Sequence, residues 1–286
     1  MPSVIPLKSP AVRFKRRACS HHYAIFAVLG CTLLISWSLW MPEYRNQRVE
    51  SDGTKALTFS IFGDSSRYND GIVANAKLLE STFPGWTMVV FYNSSVPERT
   101  LNSLRRHRIT LRSMDGSVVD ARSWRFHIVE DEKIQMFCSR DADSRLGYRE
   151  FKAVSQWLES EKEAHAMIDH PGQVFQPLMA GMWCAKTKTL RNMVSDLHKF
   201  TAAINFEIKQ FGDQDFLEQC IYPRIRSSLM RHASFGCDVY PDSIPFPTKR
   251  RGLEHVGAVY INGWMRSLDK KILYEALKKG DDCKFA

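Results

Sequence analysis

The first 40 positions of the sequence carry no acidic residue, and the whole chain carries no low-complexity tract and no internal repeat. Without repeats or biased tracts, a solenoid array and a disordered chain are both excluded. At 286 residues with 44% hydrophobic and 12% aromatic content, the chain can build a sizeable globular core. The missing acids at the N-terminus explain the net charge of +9, because Lys8, Arg13, Lys15, Arg16 and Arg17 supply five of those charges. The remaining 246 residues hold only +4, too little positive surface for a nucleic-acid binder.

Charge is also missing from Tyr23 to Trp40, an 18-residue run, YAIFAVLGCTLLISWSLW. As a helix it would rise about 27 Å, close to the thickness of a bilayer core. Tyr23, Trp37 and Trp40 stand near its ends, where amphipathic rings favour the membrane interface. No small-x-small cleavage site follows, so the reading is an uncleaved signal anchor rather than a removed signal peptide. All basic residues of the tail precede the run, which keeps residues 1–22 cytosolic and sends the rest across. The expected organisation is therefore a cytosolic tail over 1–22, an anchor over 23–40, a polar stem over 41–55 and a luminal domain over 56–286. On that side Asn93-Ser94-Ser95 forms a glycosylation sequon. Five cysteines lie there, Cys138, Cys184, Cys220, Cys237 and Cys283; the number is odd, so at least one is free or pairs with another chain. Spacing leaves the connectivity open, and Cys138, in an apolar run, reads as a buried thiol.

Past the stem, short β-rich runs alternate with helical patterns. ALTFSIFGD, TMVVFYNSS, ITLRSM and IQMFC read as strands. Ile72, Ala76, Leu79 and Phe83 recur at helical spacing, as do Phe151, Val154 and Leu158. Such alternation predicts an α/β fold with βαβ crossovers and a mostly parallel sheet flanked by helices. PLMAGMWCAK, small and glycine-bearing, reads as backbone that can approach a ligand. GDQDFLEQCIYPRI reads as a helix with an acidic first turn, and the chain beyond Arg231 as loop-rich.

Ligands of open α/β sheets bind beyond the carboxyl ends of the strands. Asp64 falls at one such end and Asp141-Ala142-Asp143 at another. If the segment is extended, the two aspartates point the same way and repel unless a cation or a salt bridge, to Arg140 or Arg145, lies between them.

A basic tail, an anchor, a stem and a strand ending in D-x-D resemble the nucleotide-sugar-dependent glycosyltransferases of the GT-A fold. The ordered series FGDSSRY, FPGWTMVVFYNSSVP, RDADSR, MIDHP, AGMWCAK, DQDFL, IYP and FPTKRRG resembles a group of type II membrane glycosyltransferases over residues 57 to 260. The chain departs from that pattern at Ile168, where a basic residue is usual, and at Ala233, where an acid is.

The resemblance implies a GT-A-like, Rossmann-like sheet and transfer of a sugar from a nucleotide-sugar donor to an acceptor hydroxyl on a glycan, protein or lipid in the Golgi or endoplasmic reticulum. Mn²⁺ or Mg²⁺ would neutralise the departing diphosphate. Asp143 would ligate the metal directly and Asp141 would reach metal or ribose, with His232 completing the shell. Arg145 would contact the phosphates or orient the carboxylates. Gly63, Asp64 and Tyr68 would lie against the nucleotide, and Gly181 beside Trp183 would wall the acceptor. Asp169 or Asp215 would act as base, or in the case of Asp169 as a stabiliser of the developing positive charge on the sugar; plain capping accounts for either residue equally well. Two other readings stay open: a tethered glycan-binding or degenerate domain without turnover, and a D-x-D phosphatase, which is disfavoured by Arg145 two residues after the second aspartate.

Overall fold

A β-branched and aromatic run, Lys55–Ile61, opens the fold as strand β1 of a seven-stranded sheet. The structure is a computed structural model and describes residues 54–203 and 212–285. Cytosolic tail, anchor and nearly all of the stem fall outside those residues. Among the described residues, no helix is long and apolar enough to cross a membrane.

The remaining strands are β2 (Thr87–Tyr92), β3 (Thr110–Ser113), β4 (Met136–Arg140), β5 (Ala164–Ile168), β6 (Met182–Lys186) and β7 (Leu229–Ala233), in the spatial order β3-β2-β1-β4-β6-β5-β7. All neighbours are parallel except β6, which runs antiparallel to both β4 and β5. The α/β expectation therefore holds, with one reversed strand inside a mostly parallel sheet. That reversed strand comes from the stretch read as backbone that can approach a ligand.

Side-chain alternation splits the sheet into two buried faces. From β1, Ala56 joins one core while Leu57, Phe59 and Ile61 join the other; from β2, Val89 and Phe91 oppose Met88 and Val90. Helices α1 (Ser66–Thr82), α2 (Glu98–Arg106) and α3 (Tyr148–Leu158) cover the second face through Ile72, Leu101, Leu104 and Trp157. The first face is covered by a 3₁₀ segment, Ala121–Glu130, which supplies Trp124, Phe126 and Ile128, and by helix α4 (Met193–Ala203). A short helix α5 (Asp213–Phe216) runs through a π-helical turn, Leu217–Ile221, into α6 (Tyr222–Ile225). Beyond β7 the chain makes a small hairpin, β8 (Tyr260–Ile261) with β9 (Trp264–Met265), and ends in helix α7 (Ser267–Lys279).

The buried-thiol reading of Cys138 is corrected. Cys138 and Cys184 sit directly opposite each other on β4 and β6 and form a disulfide. A second bridge, Cys237–Cys283, ties the C-terminal end to the loop after β7, and among the described residues Cys220 has no disulfide partner.

Candidate active site

Chain direction reverses between β1 and β4: β1 leads outward to β2 and β3, whereas β4 leads the other way. Parallel neighbours that part in this manner leave a crevice at their carboxyl ends. A cleft of about 370 Å³ lies there, lined by Ser60 and Ile61 of β1, by Asp141, Ala142 and Asp143 after β4, and by Arg67 and Tyr68 of α1.

The two aspartates do not share this cleft because of strand alternation. Strand β4 stops at Arg140, and residues 141–144 form a turn in which the Ser144 hydroxyl and amide both donate to the Asp141 carbonyl (2.8 and 3.2 Å). Helix α1 holds this turn in place. Asn75, fully buried, donates to the carbonyls of Ala142 (3.3 Å) and Ser144 (3.0 Å) and accepts from the Leu146 amide (3.0 Å). One turn earlier stands Gly71, where a Cβ would overlap the Ala142 carbonyl oxygen. On the opposite wall a Cβ at Gly181 would overlap the Asp141 carboxylate. Two glycines and one asparagine thus shape the D-x-D turn, and none of the three carries charge.

Both carboxylates already face positive charge, but not from Arg140 or Arg145. Arg67 donates to Asp143 through Nε (2.7 Å) and Nη2 (2.5 Å). Arg125 donates to Asp141 (2.6 Å), to Asp213 (2.5 Å) and to the Arg140 carbonyl (2.8 Å). Arg140 is buried and paired with Glu150, and Arg145 lies over the Tyr260 ring at 4.7 Å, outside the cleft. The two aspartates differ in setting. The Asp141 side chain is 48% exposed and that of Asp143 only 7%. Burial, then the nearby Asp141 charge, pushes the Asp143 carboxyl above its usual range against the pull of Arg67.

Of the other expected site residues, Tyr68 and Gly181 line the same cleft. Gly63 and Asp64 do not. Gly63 adopts φ +71°, donates to the Ser95 hydroxyl (2.7 Å) and shapes the loop after β1, while Asp64 is exposed. Trp183 is core, packed edge-on against Phe137 with ring centroids 5.1 Å apart.

Asp169 is fully buried away from this cleft. Its carboxylate accepts from Arg149 (2.9 and 3.0 Å), Arg250 (2.6 Å), the Ser234 hydroxyl (2.7 Å) and the Val256 amide (3.0 Å). Five donors saturate the acceptor capacity of one carboxylate, so no lone pair remains to take a substrate proton. Asp169 instead fastens the segment around residues 234–256 to the end of β5. Asp215, the third residue of α5, reaches back to accept from the amide of the N-cap residue Gly212 (2.9 Å), which is the capping role, the plainer of its two readings. His232 bonds to His165 (2.8 Å) and Gln156 (3.0 Å) inside the sheet and is fully buried, so it supplies no ligand to the cleft. Burial, aided by Arg149, lowers its pKa to about 4.

The sequence reading missed Arg125, Asp213, Asn75 and Gly71. Asp213 stands two positions before the expected Asp215; a first-turn acid faces the cleft or caps its helix according to its angular position, which spacing alone does not fix.

A scan of family models finds none that matches the chain, and no curated protein matches it. Among solved structures, the chain is similar to the mannosyltransferase PcManGT from Pyrobaculum calidifontis in complex with GDP-Man and Mn²⁺ (14% identity, TM-score 0.40, 60% of this chain and 56% of that one). It is also similar to core-mannan synthase A from Aspergillus fumigatus in an Mn/GDP form (9% identity, TM-score 0.42, 72% and 81% coverage). A third similar structure is the glycosyltransferase GlyE of Streptococcus pneumoniae TIGR4 (13% identity, TM-score 0.43, 80% and 64% coverage). The chain thus spans less than two thirds of the first and third of these structures. At such scores the alignments carry no argument for a shared activity, and the chemistry has to be read from the cleft.

Proposed function

We propose that the protein is a GT-A-type glycosyltransferase that uses a nucleotide-sugar donor and a divalent cation, with the donor in the cleft beyond β1 and β4. The observation that carries this reading is the D-x-D turn: two carboxylates, held by α1 at a strand-end crevice, with three arginines within the same walls. The strand order, with β6 reversed, supports the fold assignment.

The residues present fit a cation. Among the described residues no cluster of three or more ligating side chains exists. Mg²⁺-like ions in phosphate sites nevertheless use one or two carboxylates and complete their shell with substrate oxygens and water. Asp141 and Asp143 supply that pair, and Gly181 leaves the space that the Asp141 carboxylate occupies. Bound there, a divalent cation would neutralise charge on the diphosphate leaving group.

The chain's own side chains do the rest. Arg67 and Arg122 line the cleft and can donate to phosphate oxygens, a geometry suited to guanidinium forks. Arg125 is buried and anchored to Asp213, so it holds Asp141 in place rather than reaching for substrate. Tyr68, 39% exposed at the cleft wall, offers a ring face to the base. Gln214 bonds to the Leu178 carbonyl (2.6 Å) and the Ala180 amide (3.0 Å), fixing the wall that carries Gly181.

We place the protein in the secretory pathway as a single-pass, membrane-anchored enzyme with its catalytic domain luminal. Support comes from the uncharged run Tyr23–Trp40 and from two disulfides, which persist in oxidising compartments. One observation favours the alternative of a sugar-binding domain without turnover: each D-x-D carboxylate already has a guanidinium partner.

Release of nucleoside diphosphate from a panel of nucleotide sugars, with and without Mn²⁺, separates the readings. Mn²⁺-dependent release that falls by roughly 10²-fold or more in Asp143→Asn supports the transferase. Metal-independent release, or none from any donor, contradicts it.

A further inference from the structure

A second cleft, of about 480 Å³, adjoins the first, and the end of RDADSR and the middle of FPTKRRG supply Arg145 and Thr248 to Arg251 to its lining. The two linings meet along the chain at Val259 and Tyr260 and again between Asp143 and Arg145. Val259 lines the donor cleft, Tyr260 lines its neighbour, and the Tyr260 amide donates to the Asp143 carbonyl (2.9 Å). A ligand in the second cleft therefore lies next to the D-x-D turn.

The lining is strongly basic. Arg145, Arg149, Lys249, Arg250 and Arg251 all contribute to it. Arg149 and Arg250 are consumed by Asp169, and the lining carboxylate Glu150 is consumed by Arg140. Once these pairs cancel, Arg145, Lys249 and Arg251 face the cavity with no carboxylate within 4 Å among the described residues, against one exposed acid, Glu254. Arg145 carries the argument furthest. It is half-buried, spread over the Tyr260 ring, and among the described residues its side chain is hydrogen-bonded only to the Ser144 carbonyl (2.7 Å). The Thr248 hydroxyl in the same lining is shielded from water and has no hydrogen-bond partner among the described residues. Shielded polar groups without partners are uncommon and mark places where a ligand can supply the bond. Tyr148, 60% exposed, and Tyr260 add aromatic faces on which sugar rings can lie.

We infer that this second cleft binds a glycan bearing an anionic substituent, a carboxylate, sulfate or phosphate, with Arg145 as its direct partner and Lys249 and Arg251 at its mouth. As an acceptor site it rests on the glycosyl-transfer reading of the first cleft; as an anion site it does not.

The test is equilibrium binding of a labelled uronic-acid tetrasaccharide and of its carboxyl-reduced, neutral counterpart to the full chain, with inorganic phosphate and sulfate as competitors. The acidic form should bind at least about tenfold more tightly, and the preference should weaken with added salt. Arg145→Gln should abolish the preference. Lys249→Ala with Arg251→Ala, both exposed and remote from the core, should weaken it while leaving thermal unfolding unchanged. Equal affinity for the acidic and neutral forms overturns the proposal, as does an undiminished preference in both variants. No binding of the acidic glycan, with inorganic phosphate binding in a direct titration, also overturns it, since the site would then serve a free anion. Mn²⁺-dependent binding of nucleoside diphosphates, measured on the same samples, keeps the two readings apart: its loss with the acid preference intact removes the donor assignment and leaves the anion site standing.

Discussion

Asp143 combines the two opposing demands on this cleft. Its charge is disfavoured by burial and by Asp141, so its carboxyl sits above the usual range in the folded protein. A raised carboxyl means that the folded chain binds the proton more tightly than the unfolded chain; stability without ligand therefore falls as pH rises through that window. Asp143→Asn should accordingly melt no lower than the wild type at neutral pH without metal, although it loses turnover. Melting several degrees lower would show that the Arg67 pair stabilises the fold on balance. At the same scale, Asn75→Ala removes three hydrogen bonds that hold the D-x-D turn and its exit, leaving the Ala142 carbonyl and the Leu146 amide unpartnered while the Ser144 carbonyl keeps its bond from Arg145. The expected cost is about 1–3 kcal/mol in chemical denaturation, with a larger proportional loss of activity than of stability. The aspartates were legible in the sequence because charge at a strand end is conspicuous. Asn75 and Gly71 were not, because a polar residue and a glycine inside a helix look like ordinary exposed positions until the neighbouring turn is seen.

Elements with strong period were read correctly, and those defined by long-range contact were not. Strand β1 and helix α1 announce themselves through β-branched runs and apolar spacing. MAGMWCAK, read as backbone that can approach a ligand, contains a glycine and lacks alternation; it forms strand β6 because β4 and β5 pair with it from both sides. Helix α7 was missed within a stretch read as loop, although Leu273 and Ala276 face the core and Gly280 closes the helix at φ +75°. The His165–His232 pair between β5 and β7 makes its own prediction. Burial lowers His165 well below the ordinary histidine value, and His232 to about 4 from 6.5. As pH falls below 6.5 the unfolded chain takes up protons that the folded chain refuses, so stability drops across the window from 6.5 to about 4. Urea midpoints should fall between about pH 7 and pH 5, where ordinary carboxylates contribute little; a flat profile would show that the pair does not titrate as its burial requires.

On the scale of the whole molecule, the disulfides connect fold to compartment. Cys237–Cys283 closes a loop with 46 residues of sequence separation and ties the C-terminal end to the rest. Replacing both cysteines by serine should cost about 2–4 kcal/mol in urea unfolding; no change would mean that Asp169 and its arginines hold that region unaided. The odd cysteine count leaves at least one thiol free or paired with another chain, and among the described residues Cys220 is the one outside both bridges. The central claim is that Asp141 and Asp143 complete a cation site only together with a diphosphate. Calorimetric titration of nucleoside diphosphates into the full chain, with and without Mn²⁺, tests it most directly. At least one diphosphate should bind about tenfold or more tightly with Mn²⁺, and Asp143→Asn should erase that gain. Affinities indifferent to Mn²⁺ in the wild type, with Arg67 still paired to Asp143 in a structure solved with nucleotide and metal at saturation, would contradict it.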